Sequence, residues 1–206
     1  MGDPLEGRLK EAVTSGFVRH RRSKRIIATF SAFEADLLRS LAAQLVELLH
    51  NESAVVATER DPLEALLDFS GPTTEPEDPV LRRLFPNAYR EDAEAAGEFR
   101  RYTESTLRDG KSRAAGTIID VLEEAGLPGE PTDENLVIDV ELDHETALVW
   151  MRSLTDLRLA LGTRLEVEEG DEDYWYSLPD EDPRAQAHHI YEWLGFLQET
   201  LVQSVR

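Results

Sequence analysis

The sequence predicts a mainly α fold of the α+β kind: a single helical domain with a small antiparallel N-terminal sheet of two or three strands and a buried central helix. Three observations carry this expectation. Helical periodicity dominates the chain after residue 31, and alternating or β-branched stretches are short, near 17–30 and 136–141. The segment 150–165, WMRSLTDLRLALGTRL, is apolar on two sides. That pattern suits a helix sandwiched by other elements rather than one laid on a surface.

Taken in order, Gly2, Pro4 and Gly7 make residues 1–15 an expected flexible N-terminus ahead of one domain at 16–206. Segments 17–22 and 24–30 read as two strands joined by a charged link, a hairpin with a basic tip; Ile26, Ile27 and Phe30 supply the bulk that favours the second strand. Ser31 and Glu34 form a capping box that opens a long helix with Leu37, Leu38, Leu41, Leu45, Leu48 and Leu49 on one stripe and Arg39, Gln44 and Glu47 facing out. Asp61-Pro62 and Asp78-Pro79 each place a capping carboxylate before a proline at the first helical position, opening the short helices LEALLDF and VLRRLF.

Helical pattern returns at 89–125 through Phe99, Tyr102, Leu107, Ile118, Val121 and Leu122, with Gly110 leaving one helix or two equally open. Gly126 and Pro128 end it. Leu136, Ile138 and Val140 alternate with Val137, Asp139 and Glu141 as a strand that can add to the hairpin. The central helix spans 144–164, with Trp150, Leu154, Leu157 and Leu161 on its main stripe and Leu148 and Leu159 nearly opposite. A loop at 166–182 holds nine acids around Tyr174, Trp175 and Tyr176, whose rings are expected to fold back onto the core. A last helix, from about 184 to 205, buries Ile190, Tyr191, Leu194, Leu197 and Leu201.

Composition narrows the function classes. The 206 residues, 41% of them hydrophobic, suffice for one domain with a sizeable core. No apolar run approaches the roughly 20 residues that cross a bilayer, and the start MGDPLEGRLKEAV lacks an apolar signal core, so a cytoplasmic protein with no membrane partner is expected. The absence of cysteine rules out disulfides, thiol nucleophiles and thiolate metal ligands. Net charge is -20 and uneven: residues 1–25 hold seven Lys/Arg against three acids, +4, which leaves -24 for the remainder. So acidic a body repels nucleic-acid backbones, and sequence-specific DNA binding by the isolated protein is not expected.

No catalytic, cofactor or metal site emerges from the motifs. GxSxG, GxxxxGK[ST], GxGxxG and HExxH are all absent. His188 and His189 are adjacent and point about 100° apart on a helix, which makes a shared metal difficult. The acidic loop 166–182 lacks an EF-hand register and reads as solvated. His144 lies between Asp143 and Glu145, which is helix N-terminal chemistry. Two groups of residues remain. The cluster Arg19, Arg21, Arg22, Lys24 and Arg25 is a candidate partner-binding surface, set against two plainer readings: a solvated hairpin tip, or internal pairing with the 166–182 acids. Asp156, Arg158 and Arg164, beside the main stripe of the central helix, read as core-edge ion-pair residues, with Arg158 expected to be held by a carboxylate.

Four stretches give the chain a family resemblance over about residues 17–203: RIIATFSAFEADLLRSLAAQLVELL at 25–49, DPVLRRLFPNAY at 78–89, the 150–165 segment, and YEWLGFLQETL at 191–201. With LTDLRLALGTRL the most specific of them, the chain resembles the actinobacterial family catalogued as domain of unknown function 2017. Trp150, Asp156, Arg158, Gly162 and Arg164 carry the 150–165 segment as structural residues. The resemblance implies a cytoplasmic protein with no assigned enzymatic activity, associated with oxidative-stress transcription through an extracytoplasmic-function sigma factor and a Cys-x-x-x-Cys redox switch. This chain has no cysteine, so that switch cannot operate here.

The reading that results is a non-enzymatic regulatory or adaptor protein acting through protein contacts, with a sigma factor or another transcription component as partner and no cofactor. Two rivals stand beside it. One is an enzyme built around Asp156 and Arg158; the other is an acidic protein that occupies nucleic-acid-binding surfaces by charge resemblance. Oligomeric state is left open.

Overall fold

The computed structural model describes residues 15–58, 72–131, 133, 135–179 and 181–206. The expected helix at 63–69 and residues 1–14 of the expected flexible N-terminus lie outside the described residues. In chain order the elements are β1 (Val18–Arg19), β2 (Ile26–Ser31), α1 (Ala32–Thr58), α2 (Pro79–Leu84), α3 (Ala93–Glu124), β3 (Val137–Leu142), α4 (His144–Leu165), α5 (Glu172–Tyr176) and α6 (Pro183–Val205). The fold is mainly helical with one three-stranded antiparallel sheet in the order β1-β2-β3, as the sequence predicts.

Register explains the sheet. Ile26, Ala28 and Phe30 lie opposite Leu142, Val140 and Ile138, and all six are buried. A slip of one residue would turn this set to water, so burial of a single face fixes the pairing. The first strand is shorter than expected. Pairing ends at Arg19↔Ile26, because residues 20–25 are taken by a turn in which His20 N–H donates to the Arg25 carbonyl at 2.8 Å and Lys24 N–H to the His20 carbonyl at 3.0 Å.

The capping box forms as predicted. Ser31 N–H donates to Glu34 Oε2 at 2.8 Å, and Glu34 N–H donates to Ser31 Oγ at 3.2 Å. The buried stripe of α1 is Ala35, Leu38, Ala42, Leu45 and Leu49, while Leu37, Leu41 and Leu48 are half-buried. Gln44 and Glu47 face water as expected, but Arg39 does not. Its guanidinium is tucked against Asp36 and donates to the carbonyls of Pro128 and Gly129 at 2.9 and 2.8 Å, tying α1 to the end of α3.

Asp78 caps α2, accepting from Val80 N–H at 2.7 Å, with Pro79 at the first position. The same Asp-Pro grammar opens α6, where Asp182 accepts from Arg184 N–H at 2.9 Å. Gly110 does not divide the 93–124 segment, which is a single helix. Its cost of about 1 kcal/mol in a helix interior is smaller than the packing on either side of it.

Helix α4 is the centre. It packs on α6, α3, α2, α1 and β3, and Trp150, Leu154 and Leu157 are buried, as a sandwiched helix must be. Phe17 meets the Trp150 ring edge-on at 5.8 Å and the Phe30 ring at 6.0 Å, joining hairpin, α1 entrance and central helix in one core. The hairpin is also held to α6: Phe17 N–H donates to Thr200 Oγ1 at 3.1 Å and Ser204 Oγ–H to the Phe17 carbonyl at 2.8 Å. Gly16 has φ 68 and lies where a Cβ would sit 2.7 Å from Thr200, so only glycine allows this close approach.

Candidate functional site

The basic tip is presented rather than packed. Arg19, Arg21, Arg22, Lys24 and Arg25 are all exposed at the end of the hairpin away from the core. The turn holding them is ordered by His20 Nδ1, which accepts from Ser23 N–H at 3.2 Å and lies 2.8 Å from Ser23 Oγ. Lys24 adopts φ 61, a left-handed conformation that disfavours side chains with a Cβ. Arg25 braces the tip against the sheet edge, with Nε 3.4 Å from Glu141 and Nη1 3.7 Å from Asp143. Among the described residues, Arg19, Arg21, Arg22 and Lys24 have no ion-pair partner, and none of the cluster pairs with the 166–182 acids.

The motif residues of α4 are dispersed over its faces rather than gathered. Asp156 is buried against α3, where Lys111 Nζ donates to Oδ1 at 2.7 Å. Burial pushes the Asp156 carboxyl above its ordinary range, against the hydrogen bond from Lys111. Arg158 points about 200° away, toward α6. The expected carboxylate is not there: Nη1 donates to the Gln198 amide oxygen at 2.8 Å, and the guanidinium lies 5.1 Å over the Tyr191 ring. A neutral amide and a ring face take the carboxylate's place, and the buried Nε has no hydrogen-bond partner among the described residues. Gln198 donates onward to Thr155 Oγ1 at 2.6 Å, closing a polar contact between α4 and α6.

Gly162 makes room for that ring, since a Cβ there would come within 3.1 Å of Tyr191. Arg164 pairs with Asp78 at 2.6 Å, so the last turn of α4 anchors the cap of α2. Burial works to raise the Asp78 carboxyl, but Arg164 and the N–H groups of Val80 and Leu81 outweigh it and hold the group below its ordinary value. Asp156 and Arg158 thus belong to two separate helix contacts. The structure does not bring them into one site.

Around α3 the structure reveals what sequence reasoning missed. Phe99, Tyr102 and Leu107, which carry the helical pattern of this segment, are exposed, while Arg100, Glu104 and Arg108 are buried. Glu104 receives Arg100 Nη1 at 2.5 Å on one oxygen and Arg108 Nη2 at 2.7 Å on the other. Arg100 also donates to the Phe85 carbonyl at 3.0 Å and to Asn87 Oδ1 at 2.8 Å, and the Arg108 guanidinium lies 4.8 Å over the Phe85 ring. The ladder clamps the segment after α2 onto α3. An Arg-x-x-x-Glu-x-x-x-Arg spacing was visible, but such spacing also describes an ordinary solvated helix face.

The acidic loop is partly ordered. Asp171 accepts from Glu168 N–H at 2.8 Å and from Trp175 Nε1–H at 2.7 Å, and these bonds hold its carboxyl below the ordinary value. Trp175 is buried and stacks on His188 with centroids 4.6 Å apart, as expected of a ring folded onto the core. Tyr174 and Tyr176 remain exposed instead, their hydroxyls bonded to Arg184 and Glu192 at the surface. Among the described residues no group of three His, Asp or Glu side chains is placed to hold a metal ion.

Comparison with known proteins agrees with the resemblance in the motifs. The sequence model of the family described as domain of unknown function, DUF2017, matches residues 14–205. Proteins named oxidative stress regulator AosR, from Mycobacterium tuberculosis H37Rv and from Mycobacterium bovis, are 32% identical to this chain over 200 residues, covering 90% of it and 84% of their own length. No solved structure matches. With the match spanning nearly every described element, the chain belongs to the DUF2017 family.

Proposed function

We propose that this chain is a non-enzymatic regulatory or adaptor protein that works through protein contacts, and that its basic hairpin tip is the surface that docks an acidic partner. The carrying observation is the tip itself. Four cations without ion-pair partners among the described residues stand on an ordered turn, on a protein whose net charge is -20. The left-handed backbone at Lys24 closes the hairpin loop and sets its ammonium beside the guanidinium groups of the tip. The names of the relatives support the regulatory half of the proposal.

The partner class proposed is the one the family resemblance implies: a component of the transcription machinery, a sigma factor among them, in the cytoplasm. Without cysteine, the trigger is something other than a thiol switch. DNA contact is assigned to the partner, because -24 on residues 26–206 beside +4 on residues 1–25 opposes the phosphate backbone.

Charge reversal tests this. Arg21, Arg22 and Lys24 are changed together to glutamate, leaving Arg25 to brace the sheet edge. Capture of partners from host lysate should lose an acidic protein while the melting temperature stays nearly unchanged. Capture that ignores the reversal removes the tip as the docking surface. In gel shifts at about 150 mM salt, near the physiological range, the purified protein should form no discrete, sequence-selective complex. Such a complex would overturn the protein-contact reading.

A further inference from the structure

We propose that the outer face of the first turns of α3 is a second docking surface, one that takes a basic segment of a partner protein. Its guanidinium or ammonium groups would seat on the rings of Tyr89, Phe99 and Tyr102 within a rim of carboxylates. This surface is independent of the basic hairpin tip and has the opposite charge.

Exposure is the first argument. Tyr89, Phe99 and Tyr102 are 49%, 46% and 68% exposed, and they are neighbours. Single exposed apolar residues are ordinary, whereas a contiguous aromatic group marks a contact surface. The rings are not strays from the core. The opposite face of α3 is locked inward by the Arg100–Glu104–Arg108 ladder, so the helix cannot rotate to bury them without taking those charges into water.

Geometry and charge then select the occupant. Tyr89 and Phe99 stand nearly perpendicular, with interplanar angle 83° and centroids 6.1 Å apart, as two walls of an open groove of about 510 Å³. Asp92, Glu94 and Glu98 line the same groove. Among the described residues, Glu94 and Glu98 form no ion pair. An apolar partner would strip water from these carboxylates without replacing it, and an acidic one would be repelled. A basic segment satisfies both the ring faces and the rim. The Arg101 guanidinium lies 5.7 Å from the centre of the Tyr102 ring, a cation–ring pair of the kind proposed. The net charge of -20 steers cations toward the protein and sets two copies of it against each other, which favours a foreign basic segment over a second copy.

The test uses the full chain and a synthetic probe, an acetylated dodecapeptide of alternating arginine and alanine, beside its neutral twin with citrulline in place of arginine. Titration calorimetry is run at about 150 mM salt, where distant charges are screened. The arginine peptide should bind and the citrulline peptide should not. Amide shifts should cluster at residues 89–102. The Phe99→Ala, Tyr102→Ala double variant should weaken binding by about tenfold or more, the loss of two ring–cation contacts. The Tyr174→Ala, Tyr176→Ala control removes equally exposed aromatics from the other acidic region and should change affinity less than about twofold.

Several outcomes overturn the proposal. They are no binding of the arginine peptide, equal binding of the citrulline peptide, unchanged affinity in the α3 variant, and equal loss in both variants, which would mean a general polyanion field. Sedimentation showing self-association that the Arg21, Arg22, Lys24 reversal abolishes would overturn it too, by making a second copy the occupant.

Discussion

Over residues 113–124, α3 turns Ala115, Ile118 and Leu122 into the core and leaves Arg113, Asp120, Glu123 and Glu124 in water. Over residues 99–108 the same helix turns Arg100, Glu104 and Arg108 inward and leaves Phe99, Tyr102 and Leu107 outside. Both halves are regular helix, so the difference lies in what each half meets. The later half meets α1 and α4 side chains across a hydrophobic core. The earlier half meets the 85–87 backbone, whose Phe85 carbonyl and Asn87 side chain need donors. The Arg100 guanidinium supplies them, Arg108 donates to the Leu49 carbonyl of α1, and Glu104 balances both charges. Inward polarity at one end of a helix thus leaves aromatic surface free at the other face.

The largest expected effect comes from breaking the polar half. Glu104→Ala leaves two buried guanidiniums without their shared carboxylate, and should cost about 3–5 kcal/mol, as unpairing a buried ion pair does. Denaturant melts measure it. A loss below about 1 kcal/mol, the range of exposed ion pairs, would place the ladder in contact with water and dissolve the contrast between the halves.

The apolar half should respond to cavity formation. Ile118→Ala removes a fully buried side chain and should cost about 2–5 kcal/mol by the same melts, the usual range for a large-to-small core change. Leu157→Ala on α4 belongs to the same range. If Ile118→Ala proved harmless, the core would lie elsewhere on the helix.

Lys111, at the junction of the halves, gives a test by pH. Burial raises the Asp156 carboxyl in the folded chain, so folded protein holds that proton at pH values where the unfolded chain has released it. Its contribution to stability therefore grows as pH falls toward the unfolded value, and weakens as pH rises through the folded one. Asp156→Asn has no such proton. The difference in melting temperature between wild type and this variant should move in favour of wild type as pH drops from 7 to about 4, through the carboxylate range. Parallel curves would mean that Asp156 is hydrated rather than desolvated.

The smallest effect sharpens the comparison from outside. Phe99→Ala should change stability by less than about 0.5 kcal/mol, as surface substitutions do, despite removing an aromatic ring. A loss in the core range would show that the ring is packed, and that both faces of the earlier half support the fold.

Much of the fold was legible because short-range rules suffice for it. The Ser31/Glu34 capping box, the Asp78-Pro79 start, the β3 alternation and the two-sided apolar pattern of α4 each encode one local decision, and the structure follows all four. The basic tip was legible in the same way, since charge clustered beside a β-hairpin signal has to be exposed or paired. Arg158 and the 99–108 segment were not. Periodicity states which residues share a face, but not which face meets the core, and in 99–108 both faces could be buried on paper.

By itself, then, the sequence determined the helical class, the capped starts after Ser31 and Asp78, the alternation of β3 and the charge at the hairpin tip, because each depends on neighbours within a few residues. Only the tertiary structure decided that Arg158 would meet Gln198 and a Tyr191 ring, that Gly110 would stay inside one helix, and that α3 would turn three charges inward and three apolar side chains outward. The first and last of these rest on partners distant in the chain, such as Phe85 for Arg100 and Gln198 for Arg158. The free energy of a buried charge is set by where its partner sits in space, which no local pattern records.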